Sequence, residues 1–79
     1  MKTTIRDEMV YARKKYGPFN STHEVYGVLQ EEVNEFWNLV TGLDPAYEKQ
    51  RQMLRELRQV AAIAQRAIQE LEKNEIKWV

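Results

Sequence analysis

Two polar pairs stand at the same spacing in this sequence: Glu32 and Glu35 in HEVYGVLQEEVNEFWNLV, and Glu56 and Gln59 in RELRQVAAIA. On a helix, side chains three residues apart lie about 60° from each other, so each pair points to one side. Glu32 and Glu35 fall within the angular range of Leu29, Phe36 and Leu39, whereas Glu31 and Asn34 look outward. Glu56 and Gln59 likewise flank Met53 and Val60. An ionised carboxylate held against an apolar stripe is costly unless a proton, a cation or a metal compensates it. Two antiparallel helices would bring the pairs together, as three carboxylates and one amide oxygen. Such hard oxygen donors suit Mg²⁺ or Mn²⁺ and not zinc. The same spacing also occurs on solvated helix faces, where Glu56 would pair with Arg55, Arg58 or water.

The elements that must carry these residues are helices. Thr4 followed by Asp7 is a capping-box signal, and Ile5, Met9, Ala12 and Tyr16 repeat at helical spacing, which predicts a helix over about 5–15. YGPFNS breaks it, because Gly17 tolerates positive φ and Pro18 biases its predecessor away from helix. Ser21 with Glu24 reads as a second capping box, and Val25, Val28, Leu29, Phe36, Leu39 and Val40 form one broad stripe over about 22–40. Gly42 reads as its C-terminal cap, and Asp44-Pro45 as the start of the next helix. That helix, over about 46–72, contains neither Gly nor Pro and repeats Met53, Leu57, Val60, Ala64, Ala67 and Leu71, with Leu54, Ala61 and Ile68 on another side. A helix apolar on more than one side lies between neighbours, one of which a second subunit can supply. KNEIKWV reads as a frayed tail or an interface extension.

The chain of 79 residues is expected to form one all-α domain, 1–79, near the size at which oligomerisation supplements a small core. Twelve Lys and Arg balance twelve Asp and Glu, so no overall field draws it to a nucleic acid polymer or an anionic membrane. With no cysteine there is neither a disulfide framework nor a thiolate site. The N-terminus lacks the apolar run of a signal peptide and no stretch approaches a membrane span, so a cytoplasmic protein is expected.

Glu31-Glu32-x-x-Glu35, followed after a loop by Glu56-x-x-Gln59, resembles the E-E-x-x-E … E-x-x-D signature of MazG-like nucleotide pyrophosphohydrolases. KYGPFNSTHEVYGVLQEEVNEFW looks especially like the short MazG-like proteins of bacteria and phages, and the resemblance runs from about Ala12 to Leu71. It implies an all-α, three-helix subunit that completes a helical bundle as a homo-oligomer, dimer or tetramer. It further implies Mg²⁺-dependent hydrolysis of a nucleoside triphosphate to monophosphate and pyrophosphate, as house-cleaning of the nucleotide pool. Glu32, Glu35 and Glu56 would then be metal ligands. Gln59 stands where the family has Asp; it can ligate through its carbonyl oxygen but brings one charge fewer and cannot act as a base. Glu31 is the candidate to orient the attacking water. Fuller members of the family add a further helix, which a partner subunit would replace here. The alternative is a noncatalytic MazG-like helical module that binds nucleotide or assembles with a protein partner.

Other residues invite weighing. Arg13, Lys14 and Lys15, or Arg55, Arg58 and Arg66, are candidates for phosphate, although charged clusters on helices are usually solvated. Phe19, Tyr26, Phe36 and Trp37 have the chemistry to stack on a base, although aromatics at helical spacing are usually core or interface. His23 is the sole histidine, and HEVYG lacks the second histidine of a zinc motif. Gly27, inside the second helix, would permit close helix packing.

Overall fold

The computed structural model describes residues 4–42 and 46–77. Three helices follow one another: α1 (Ile5–Tyr16), α2 (Thr22–Thr41) and α3 (Ala46–Glu72). Among the described residues there is no strand, and no helix is long and apolar enough to cross a membrane. Helices α1 and α2 each pack on α3 and not on each other, which leaves a cleft between them.

Local chemistry accounts for the boundaries. At the start of α1, Thr4 Oγ1 accepts the Asp7 N–H at 3.1 Å and Asp7 Oδ2 accepts the Thr4 N–H at 3.2 Å, the reciprocal capping box. Gly17, at φ 71°, ends the helix, and its N–H donates to the Arg13 carbonyl. At the start of α2 only half of the second box forms. Ser21 Oγ accepts the Glu24 N–H, but the Glu24 carboxylate turns to Asn20, which offers it both its backbone N–H and Nδ2 at 3.0 Å. Gly42 departs from the expected left-handed cap: it is extended, at φ −77°. The last turn of α2 is closed instead by the Thr41 hydroxyl, which donates to the Trp37 and Asn38 carbonyls, and by Lys49 Nζ on the Gly42 carbonyl. Asp44 and Pro45 lie outside the described residues.

Through Lys77 the tail is ordered against the helices; Trp78 and Val79 lie outside the described residues. Asn74 adopts φ 57° and donates to the Leu71 carbonyl, while the Glu75 N–H reaches the Glu70 carbonyl, the paired bonds of a Schellman motif. The chain then folds back, burying Ile76, and the Lys77 carbonyl accepts the Thr22 N–H at 3.0 Å. Phe19, Ile63, Ala67 and Ile76 form the core, with Val25, Val28, Leu29 and Leu71 packed against it. This core lies at the end of the molecule where α2 begins and α3 finishes. Toward the other end the expected stripes open to solvent, Val40 of α2 being 40% exposed and Leu57 of α3 47%, and Trp37, outside the stripe, is 60% exposed. The Gly27 position is open, so no helix approaches it.

Candidate metal centre and adjoining cleft

Packing of α2 on α3 brings the two acidic segments together. Glu32 and Glu35 from α2 and Glu56 from α3 each present an oxygen within 4.8 Å of the others. Glu32 and Glu56 are half-buried at the helix interface; Glu35, expected to be equally sheltered, is exposed, while Glu31 and Asn34 look outward as the spacing predicts. One atom stands out energetically. Glu56 Oε2 is buried and has no hydrogen-bond partner among the described residues. A buried acceptor in that condition costs on the order of 1–3 kcal/mol.

The electrostatics follow from this crowding. The hydrogen-bonding contact with the Glu56 carboxyl, then its charge, raises the Glu35 pKa above the ordinary value of 4.5. Burial, followed by the Glu32 carboxyl, raises that of Glu56, with the hydrogen-bonding contact to Glu35 and then the Arg55 charge opposing. Three oxygen acids that repel one another must share protons or attract a cation. All the donors are hard carboxylate oxygens from two rigid helices, a set that fits Mg²⁺ or Mn²⁺.

Gln59 stands one turn beyond Glu56, but its amide nitrogen faces α1: Nε2 donates to Glu8 Oε2 at 3.0 Å. Its carbonyl oxygen is the atom a cation would use. Glu31, Glu32, Glu8 and Gln59 all line the cleft between α1 and α2, a cavity of about 600 Å³ whose floor includes Val28 and Ile63. On the other side of the carboxylates, Glu35 and Glu56 border a shallower hollow of about 350 Å³ with Asn38, Gln52 and Arg55. The acidic centre therefore bridges two recesses, the cleft lined by Glu8, Glu24, Glu31, Glu32 and Arg66, and the hollow lined by Glu35, Glu56 and Arg55.

Several candidates take other roles. Arg66, read as a solvated or phosphate-facing cation, is buried. Its Nε pairs with the fully buried Glu70 at 3.1 Å, its terminal nitrogen donates to the Gly17 carbonyl at 2.8 Å, and its guanidinium lies 3.9 Å from the centre of the Phe19 ring. Glu70 also accepts the Phe19 N–H at 2.7 Å. This network fixes the turn between α1 and α2, which closes one end of the cleft. Arg13 joins it through Glu70 and Glu75. Lys15 lies over the Tyr11 and Tyr16 rings. Of the aromatic candidates only Phe19 lines the cleft; Tyr26 and Trp37 point to solvent, Phe36 borders a separate apolar hollow, and His23 is exposed.

Sequence reasoning missed Glu8, Tyr11 and Glu70. Glu8 sits one turn before Ala12, so the periodicity that set Ala12 on the packed face carried Glu8 with it. Glu70 is four residues after Arg66 and three after Ala67, the spacing of a helical ion pair on the buried face. No protein-family model matches the chain, and neither a characterised protein nor a solved structure matches it.

Proposed function

We propose that the protein is a Mg²⁺-dependent, MazG-like nucleotide pyrophosphohydrolase, which cleaves a nucleoside triphosphate to monophosphate and pyrophosphate. The observation that carries this reading is the convergence of Glu32, Glu35 and Glu56 around a buried carboxylate oxygen that has no hydrogen-bond partner among the described residues. Mg²⁺, when bound, supplies charge neutralisation at the transferring phosphorus. The three carboxylates would hold it, and Gln59 would add its carbonyl oxygen. Glu31, exposed on the cleft side next to Glu32, takes a proton from the attacking water as its oxygen bonds to the α-phosphorus and the bond to the bridging oxygen breaks. Pyrophosphate leaves on the side of Arg55, whose guanidinium suits its charge.

The exposed apolar residues of α2 and α3 support assembly as a homo-oligomer, dimer or tetramer, in which a second subunit covers them. One contact favours the noncatalytic alternative, a module that binds nucleotide or a protein partner: the neutral Gln59 engages Glu8 with its amide nitrogen.

Pyrophosphate release from a panel of nucleoside triphosphates decides between the two, measured with Mg²⁺, with Mn²⁺ and with chelator, for the parent and for Glu35→Gln. Metal-dependent release that falls at least 100-fold in the variant is the expected outcome, since the substitution removes one charged ligand. A folded parent that releases nothing from any triphosphate overturns the enzyme reading in favour of the module.

A further inference from the structure

We infer that α1 is a lid on the cleft, pivoting at Gly17 and held shut near its other end by Gln59. The helix is the least anchored of the three. It contains no buried residue, packs on α3 and on no other helix, and leaves Ile5, Met9 and Ala12 only half-buried. An element with few buried apolar contacts separates from its neighbours at the lowest cost, and moving lids are drawn from such elements. The other surfaces of the cavity of about 600 Å³ are firmly built, since Ile63 belongs to the core and Val28 packs against it. One wall is loose and the rest is rigid.

The polar ties decide which end moves. At the C-terminal end, Arg13 donates to both oxygens of Glu75 at 3.0 and 3.1 Å and lies 3.7 Å from the buried Glu70, while Arg66 holds the Gly17 carbonyl. That end stays in place. Between these ties Gly17 has φ 71° and ψ −167°, a conformation essentially confined to glycine, and the space where a Cβ would stand is open. Its torsions can absorb a rotation of α1, which the long Arg13 side chain can follow. Toward the N-terminal end the tie to α3 is the charge-assisted bond from Gln59 Nε2 to Glu8 Oε2 at 3.0 Å. Glu8 is nine residues from the pivot, an arm of about 13 Å, so a rotation of about 20° carries it ~5 Å. Such a swing exceeds the roughly 3.5 Å thickness of a flat ring and opens the way to Glu31 and Glu32 on the cleft side of the acidic centre. The lid also carries Tyr11 and Tyr16, which line the cavity yet are 61% and 67% exposed. Both rings have contact area to gain when α1 closes over a bound molecule.

The chain has no cysteine, so a single introduced thiol reports access to its own position. Val28→Cys sets one on the cleft wall, and Ala67→Cys sets one in the core away from the cleft. Gln59→Leu fills much the same space without the N–H. It should speed labelling of Val28→Cys by a bulky maleimide at least fivefold and leave the rate for Ala67→Cys unchanged. The motion itself is read by pulsed EPR, with spin labels on Val10→Cys in α1 and Asn34→Cys in α2, both exposed positions. Their distance should lengthen in Gln59→Leu by about 3–5 Å, the arc expected of the lid, while an α2–α3 pair on Asn34→Cys and Gln65→Cys keeps its distance. Equal acceleration of both thiols, which signals general loosening, overturns the inference. So does an unmoved rate at Val28→Cys, or an unmoved distance between α1 and α2. None of these readouts involves a nucleotide or a metal, so the lid and the pyrophosphohydrolase reading stand or fall separately.

Discussion

Because burial and a neighbouring carboxyl raise the pKa of Glu56, and Glu56 raises that of Glu35, the folded chain holds these protons more tightly than the unfolded chain does. Below the ordinary value of 4.5 both states are protonated and the acidic centre costs nothing. As pH rises through the raised values the folded state must release protons that it favours, so stability falls, and the whole cost is present above them. Glu56→Gln should therefore be nearly neutral at pH 4 and stabilising at pH 7, by about 1 kcal/mol, or ~4–8 °C in Tm for a chain of this size. Parallel profiles of Tm against pH for parent and variant would sink the idea. Mg²⁺ should reproduce the gain in the parent at pH 7 and not in Glu56→Gln. A second residue-scale prediction concerns Gln59. Gln59→Asp sets a carboxylate against Glu8 and removes the N–H between them, and should destabilise by about 1 kcal/mol; adding Glu8→Gln restores a donor and should recover most of the loss. Additive losses in the double variant would show that the two side chains do not act on each other.

At the scale of the elements, the turn that closes the cleft hangs on α3. Glu70 accepts from the Phe19 N–H and from Arg66, and Arg66 holds the Gly17 carbonyl. Glu70→Ala leaves a buried guanidinium without its counter-charge and should cost roughly 3–5 kcal/mol. Glu70→Gln, which keeps an acceptor, should cost clearly less; equal losses in urea unfolding would mean that packing and not charge sets the value. This network also marks where the sequence stopped being readable. Helix boundaries were legible to within a residue or so because Thr4, Gly17 and Ser21 act on groups at most four residues away. The convergence of Glu32, Glu35 and Glu56 was legible because helical spacing fixes each pair and antiparallel packing fixes their meeting. Glu70 and Arg66 carry charge, which argues for solvent until a turn some 50 residues distant supplies their partners. Ile76 was hidden for the same reason: its burial depends on the left-handed turn at Asn74, which returns the tail to the start of α2.

For the whole molecule, the radius of gyration of 13.8 Å exceeds the ~12 Å of a compact chain of this length, and the excess has a physical location. The core gathers at one end, while Val33, Trp37, Val40, Leu54 and Leu57 remain exposed toward the other, on the same two helices that carry the acidic centre. At the acidic centre, where α2 meets α3, like-charged carboxylates repel one another. A second subunit covering this face would hold the helices together and with them the spacing of Glu32, Glu35 and Glu56. Assembly and cation binding should therefore be coupled. Light scattering should find the parent as a dimer or tetramer, and Trp37→Asp combined with Leu57→Asp should yield monomers that keep α1 and the Phe19 core but need at least tenfold more Mg²⁺ for the same rise in Tm. The coupling requires both changes at once: monomers with undiminished response to Mg²⁺ would show that the pairing of α2 with α3 within one chain is sufficient to build the centre. A parent already monomeric at high concentration would place the function of the exposed face with a different protein.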